Sequence, residues 1–154
     1  MPIDVLRFGV GHRRPDGPPG TSGITGQVIH SDDRGIVAEL AFKRGARIEP
    51  HSNPNTTYFI VIEGGGWVLV GEERLRVAAG EAIIWPPDVD HGAWTDYSEM
   101  RAFVVEFTGA GPGFPLIVSG EAVPVGPGES LAERGIGALA PHPVPGERID
   151  RSTG

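Results

Sequence analysis

The 154-residue sequence predicts a mainly β domain, either a sandwich or a closed barrel of short strands. Twenty-four Gly and fifteen Pro divide the chain into short segments, and no run of ten or more residues has clear helical spacing. Short apolar, β-branched or aromatic stretches recur instead, with turn signals between them. Their even spacing favours a sandwich or barrel over a βαβ fold.

Seven stretches have the composition of strands. In chain order they are residues 27–30, 36–42, 57–62, 67–70, 74–77, 82–85 and 100–107. Clusters of Gly, Asp and charged residues predict the turns between them. These turns are placed at residues 32–35, 43–45, 64–66, 71–72 and 79–80.

Both ends of the chain differ from this middle. Residues 1–26 are interpreted as an irregular N-terminal arm, 27–107 as the barrel, and 108–154 as a Gly/Pro-rich extension that packs on the barrel. The extension contains three short candidate elements, namely edge strands at 116–118 and 122–125 and one helical turn at 130–134.

The charge balance excludes several classes of partner. Thirteen basic against twenty acidic residues give a net charge of −7, and no basic cluster is present to bind nucleic acid. No stretch approaches the roughly eighteen apolar residues of a membrane helix. Residues 1–10 lack the features of a secretion signal, so a cytoplasmic location is expected. Without cysteine, any metal ligand must be His, Asn or a carboxylate.

Two of the five histidines lie in promising positions. His51 precedes a predicted strand, and Asn53 would point the same way if the backbone there is extended. His91 follows Pro86 and Pro87 at the end of another strand. Two imidazoles and an amide oxygen would form a partial metal site. The alternative, histidines that are only hydrogen-bonded beside turns, remains open. The other three histidines are interpreted as surface residues: His12, His30 and His142.

The stretch from Gly45 to Thr95 resembles the cupin superfamily. Its first motif, G-x5-H-x-H-x3-E-x6-G, aligns without a gap with Gly45, His51, Asn53, Thr57 and Gly64. Its second motif, G-x5-P-x-G-x2-H-x3-N, aligns with Gly80, Pro86, Asp88, His91 and Thr95. The intervening residues, 65–79, have the short spacing of microbial members.

This resemblance implies a jelly-roll barrel, also called a double-stranded β-helix, and a ligand set for a divalent ion such as Fe, Mn, Ni or Zn. In the family, three His and one Glu hold that ion. Here Asn53 replaces one His and Thr57 replaces the Glu, which leaves His51, His91 and Asn53 as the metal-site candidates. Because a neutral hydroxyl is a poor ligand, we expect weak metal binding.

Strand alternation extends the candidate site to a wall for a small ligand. If His51 and Asn53 point inward, the same parity places Thr57, Phe59 and Val61 on the inner face. Two aromatic residues are candidates to close the mouth, Trp85 and Trp94. The competing interpretation is that these aromatic residues only fill the core.

The function predicted from these features is binding of a small molecule around His51, Asn53 and His91. The alternative is a metal-dependent enzyme, such as a dioxygenase, isomerase or lyase acting on a small polar metabolite. A homodimer is also expected, because residues 58–62, 67–70 and 102–105 are apolar at successive positions and their outer faces need cover. The arm and extension are too poor in large apolar residues to provide all of it.

Overall fold

A computed structural model of the chain describes residues 2–15, 17–109, 122–126 and 128–133. Within these residues the secondary structure is entirely β, which confirms the predicted class. The strands are β1 (Thr21–Asp32), β2 (Gly35–His51), β3 (Thr56–Val70), β4 (Glu73–Ala78), β5 (Ala82–Trp85), β6 (His91–Trp94) and β7 (Met100–Phe107).

Two long strands, β2 and β3, change neighbours along their length and so close the barrel. The first half of β2 pairs with β7, from Gly35 opposite Phe107 to Phe42 opposite Met100, and its last part pairs with β6. Likewise β3 pairs first with β5 and β7, and beyond Gly64 with β4 and β6. All of these pairs are antiparallel, as in the predicted jelly roll.

Two predicted turns are wrong, because β2 continues through residues 43–45 and β3 through residues 64–66. A side chain on Gly64 would collide with the Glu99 carbonyl oxygen, and one on Gly66 would lie 2.5 Å from the Trp94 carbonyl oxygen. These glycines allow backbones to approach where β3 changes neighbours, instead of ending the strand. The other predicted turns, at 32–35, 71–72 and 79–80, do separate strands.

The strand boundaries differ from prediction in two further places. β1 begins at Thr21, which pairs with Ile48, so residues 21–26 belong to the barrel and not to the arm. β6 was not predicted at all, since His-Gly-Ala-Trp contains no β-branched residue. Tertiary pairing with β2 and β3 makes this segment a strand.

The core fills the inside of the barrel with alternate residues of each strand. Its members are less than a tenth exposed and include Ile24, Leu40, Phe42, Ile48, Phe59, Val61, Val68, Val77, Trp85 and Met100. Burial of each large apolar side chain stabilises the fold by about 1.5–3 kcal/mol. The core therefore provides a rigid base for the residues at the end of the barrel.

The N-terminal arm covers part of the outer face of β2 and β7. The Phe8 ring packs edge-on against Phe103, with ring centroids 5.6 Å apart. The Arg13 guanidinium donates two hydrogen bonds, of 2.9 and 3.0 Å, to the fully buried Glu39 carboxylate. Arg101 lies 3.4 Å from the same carboxylate. A charge buried without a partner would be costly, so this pairing anchors the arm.

The described parts of the C-terminal extension contain no strand. Residues 122–125 are exposed and extend no sheet, although the sequence predicted an edge strand there. Residues 128–133 form turns, and the Leu131 amide donates a 2.9 Å hydrogen bond to the Glu81 carboxylate on the barrel. The predicted strand at 116–118 and His142 lie outside the described residues. No helix among the described residues is long and apolar enough to cross a membrane.

Candidate functional site

The motif glycines stand where the backbone is left-handed, Gly45 within β2, Gly64 within β3 and Gly80 in the turn before β5. Gly45, Gly64 and Gly80 have positive φ angles of 70°, 79° and 95°. Asp88, which stands where the second motif has Gly, is the one described non-glycine residue with a positive φ, at 62°. Asp tolerates this left-handed region better than most residues. The turn that leads to His91 therefore keeps the motif's shape without its glycine.

The structure brings His51 and His91 together. They are partners in the pairing of β2 with β6, and their ring centroids lie 4.5 Å apart at an interplanar angle of 66°. The register of β2 against β6 shifts between Ile48 and His51. Ile48 is opposite Ala93 and His51 is opposite His91, so β2 advances by three residues where β6 advances by two. This bulge turns His51 toward the same face as Ile48, whereas strict alternation would turn it away.

Both imidazoles are held by backbone carbonyl oxygens. Nδ1 of His51 bonds to the Glu49 carbonyl oxygen at 2.9 Å, and Nδ1 of His91 bonds to the Val89 carbonyl oxygen at 3.1 Å. A carbonyl oxygen only accepts hydrogen bonds, so each Nδ1 carries the proton. In a neutral ring with this tautomer, Nε2 is the acceptor, and neither Nε2 has a hydrogen-bond partner among the described residues.

The two histidines differ in exposure. His51 is exposed, whereas His91 is only 1% exposed. Burial lowers the pKa of His91, and the neighbouring His51 lowers it further, whereas the bond to the Val89 carbonyl and the charges of Glu106 and Asp90 raise it less. The net shift is downward, so His91 is neutral at pH 7. The end of the barrel marked by this pair is called the histidine end below.

Aromatic rings connect the histidine pair to the core. The Trp85 ring stacks on His91 at 4.4 Å and 13°, and Phe59 stacks on Trp85 at 4.9 Å and 22°. Phe59 and Val61 are buried within the core cluster, as is Trp85. Of these three predicted wall residues, Trp85 is the one in ring contact with a histidine of the pair. The stack fixes the orientation of His91.

The two substituted motif positions have different surroundings. The Asn53 side-chain oxygen accepts a 2.9 Å hydrogen bond from the Asn55 amide, and its backbone oxygen accepts a 2.7 Å hydrogen bond from the Asp88 amide. Asn53 thus joins the two motif loops. Thr57 is 2% exposed, and its hydroxyl has no hydrogen-bond partner. Buried hydroxyl groups without a partner are uncommon in folded proteins.

Trp94 faces away from the histidine pair. Its neighbour Ala93 belongs to the core, so Trp94 points to the other face of β6. There it stacks on Trp67, with centroids 6.1 Å apart, and lies under the Arg47 guanidinium. The structure does not bring this predicted wall residue to the histidine end.

A family model described as "Cupin domain" matches residues 38–106. These residues include both motifs and the histidine pair. The chain contains a cupin domain. No curated protein sequence matches this cupin.

Solved structures with the same fold are similar to this cupin. The polyketide cyclase RemF from Streptomyces resistomycificus has a TM-score of 0.60 and 24% identity, over 77% of this chain and 88% of its own. A cupin-like protein from Thermotoga maritima has a TM-score of 0.58 and 22% identity, over 66% and 81%. KdgF from Halomonas sp. has a TM-score of 0.55 and 21% identity, over 64% of this chain and 88% of its own. At these identities the likeness shows the fold alone.

The donor atoms of this cupin do not fit a complete four-ligand metal centre. Two imidazole nitrogens are suitably presented, but the buried Thr57 hydroxyl is neutral and the Asn53 oxygen already accepts a hydrogen bond. Among the residues that the structure describes, no three His, Cys, Asp or Glu side chains are grouped closely enough to hold an ion. Two neutral nitrogens alone would bind a divalent ion weakly.

Sequence reasoning missed two polar residues of the site, Asn55 and Glu106. The Asn55 side-chain amide donates a 2.6 Å hydrogen bond to the Glu106 carboxylate. Glu106 shares its face of β7 with Ala102 and Val104, which contact the core. The available signal is an acidic residue at the inward parity of the predicted strand 100–107.

Proposed function

We propose that this cupin binds a small molecule at the histidine end, through the free Nε2 atoms of His51 and His91. The observation that carries the proposal is the side-by-side pair of imidazoles, each oriented by a backbone carbonyl. Such fixed polar groups beside buried aromatic rings are typical of small-molecule sites. The incomplete metal ligand set favours binding that does not depend on a tightly held ion.

The test is a screen of small fragments against protein labelled at its histidine rings, in the presence of EDTA. Fragments that bind at the histidine end should shift the NMR signals of His51 and His91. His30 is an internal control, because it is exposed and bonds to Asp32 at the end of β1. The proposal fails if no fragment shifts the His51 and His91 signals, or if binders keep their affinity in a His51→Gln/His91→Gln variant.

A metal-dependent activity, such as that of a dioxygenase, isomerase or lyase, is the second candidate. It is favoured by the bonds of both Nδ1 atoms to carbonyl oxygens, an arrangement that is common for metal-ligating histidines. Elemental analysis of untagged protein purified without chelators decides between the two. Near-stoichiometric Fe, Mn, Ni or Zn would support the enzyme, and substoichiometric metal would support metal-independent binding.

We also propose that the protein is a homodimer. The arm covers only part of the outer face, and its own apolar residues are exposed, with Ile3, Val5 and Val10 between 75% and 89% accessible. Exposed side chains on the strands add to this apolar surface, notably Val28 and Ile84. A second copy of the chain, related by a two-fold axis, is the simplest cover for such a surface.

A further inference from the structure

Three residues at the histidine end form a row across neighbouring strands. Thr57 on β3 is paired with Glu106 on β7 and with Trp85 on β5. Side chains directly opposite one another in antiparallel strands lie on the same face. Below them, the next row on that face is Val104, Phe59 and Ile83, which contact the core.

Glu106 is held in place by Asn55 and lies within electrostatic reach of His91. Asn55 donates its side-chain hydrogen bond to Oε2, which leaves Oε1 available for another donor. The Glu106 charge also acts on the His91 ring. No cation is paired with this carboxylate among the ion pairs of the described residues.

The polar atoms of this end are mostly acceptors. The acceptors are Oε1 of Glu106 and the free Nε2 atoms of His51 and His91. The Trp85 indole N–H is the complementary donor, because it is buried and has no hydrogen-bond partner. The Thr57 hydroxyl, which also has no partner, can either donate or accept a hydrogen bond. Buried polar groups normally have partners, so the Thr57 hydroxyl and the Trp85 N–H are the two atoms of the site that most need one.

We infer that Glu106 is the charged recognition group of this site and that the ligand is a neutral molecule with two or more adjacent hydroxyl groups. This inference rests on the proposed function. Each hydroxyl donates one hydrogen bond and accepts others, so a diol can satisfy both the acceptors and the Trp85 N–H. An ammonium group has no acceptor and would leave that N–H unpaired. Anions are disfavoured because they would be repelled by the Glu106 carboxylate.

The experiment compares three small probes by calorimetry on the full chain. Catechol and cis-1,2-cyclohexanediol carry the same pair of hydroxyls on an aromatic and an aliphatic ring, and 1,2-dimethoxybenzene lacks the donors. For molecules of this size, dissociation constants on the order of 1 mM are expected. We expect at least one diol to bind and the diether to bind at least about tenfold more weakly, since it leaves the acceptors unpaired.

The Glu106→Gln variant keeps the size and the Asn55 hydrogen bond but removes the charge. It should weaken diol binding by about tenfold or more. Glu63→Gln is the matched control, because Glu63 is an exposed acid on β3 that pairs with Arg101 and lies outside the site. That variant should stay within about twofold of the wild type.

The outcomes separate this inference from the proposed function. If Glu106→Gln binds the diols as tightly as the wild type, Glu106 is not the recognition group. If the diether binds as well as the diols, or no diol binds while other fragments shift the His51 and His91 signals, the ligand class is wrong but the site stands. If no fragment shifts those signals, the proposed function fails as well. The ring type of the tighter diol distinguishes an aromatic from an aliphatic ligand.

Discussion

Restoring the family's ligand set is the most direct test of how the site is built. The double variant Asn53→His/Thr57→Glu returns one imidazole and the anionic ligand that the sequence lacks. We expect divalent metal to bind this variant more tightly than the wild type, because a carboxylate adds charge and oxygen donors that Thr57 cannot provide. Titration calorimetry with Zn²⁺ or Mn²⁺ measures the gain. No gain would mean that the site has diverged in shape as well as in ligands.

The same variant should be unstable without metal. Residue 57 is paired with Glu106, so the new carboxylate would face an existing one at about 5 Å. Two like charges at that distance repel by about 3 kcal/mol at an effective dielectric constant near 20. For a domain of this size we expect a melting temperature lower by about 6–12 °C in EDTA at pH 7, with recovery on addition of metal.

Two controls separate charge repulsion from simple disruption of the fold. Adding Glu106→Gln to the double variant should recover most of the lost melting temperature in EDTA, because it removes one of the two charges. Asn53→His/Thr56→Glu introduces the same side chain one residue earlier, where strand alternation points it to the other face. Its melting temperature should not respond to Glu106→Gln. An equal response in both backgrounds would refute the inward placement of Glu106.

Three further predictions follow from the described residues. By histidine NMR, His91 should titrate below the ordinary histidine range, and its pKa should rise in His51→Gln. Because the His91 pKa is lower in the folded protein, the unfolded state binds more protons between the folded pKa and about 6.5, so the free energy of unfolding in urea should increase with pH over that interval. A flat profile would contradict this. Gly64→Ala should destabilise the fold by more than Gly45→Ala, because both have positive φ but a side chain on Gly64 alone would collide with the Glu99 backbone; equal urea midpoints would contradict this. Light scattering should give about twice the 16.3 kDa chain mass at micromolar concentration. A monomer mass would contradict the homodimer and leave the arm and the extension to cover the apolar outer faces of the strands.

Much of the fold was predictable because its signals are local. Gly and Pro mark where strands end, and the motif spacing from Gly45 to Thr95 specifies the barrel. Composition could not show that β3 continues through Gly64, because a glycine in a sequence can mark either a turn or a close approach of two backbones. It also could not show that four residues without β-branching, from His91 to Trp94, would pair on both sides.

The site was predictable only where a motif names its residues. The motifs identified His51 and His91, but simple alternation did not predict the β2 bulge that turns His51 inward. Trp94 is a candidate to close the mouth on its aromatic character alone, since the sequence does not predict the strand that turns it to the other face. Glu106 lies about fifty positions beyond Asn55 in sequence, so only the pairing of β3 with β7 shows that the two are neighbours.

The position of Glu106 gives a physical reason why the first motif can lack its glutamate. With a carboxylate at both 57 and 106, the two charges would require a cation between them, as the double variant tests. With Thr57, one carboxylate is left beside two imidazoles, of which the buried one, His91, is neutral. That combination presents mostly hydrogen-bond acceptors beside one carboxylate, so we expect it to suit a neutral, donor-rich ligand better than an anion. Under the proposed function, the loss of the motif glutamate and the inward placement of Glu106 belong to one arrangement, in which hydrogen bonding takes the role that metal coordination has in a complete motif.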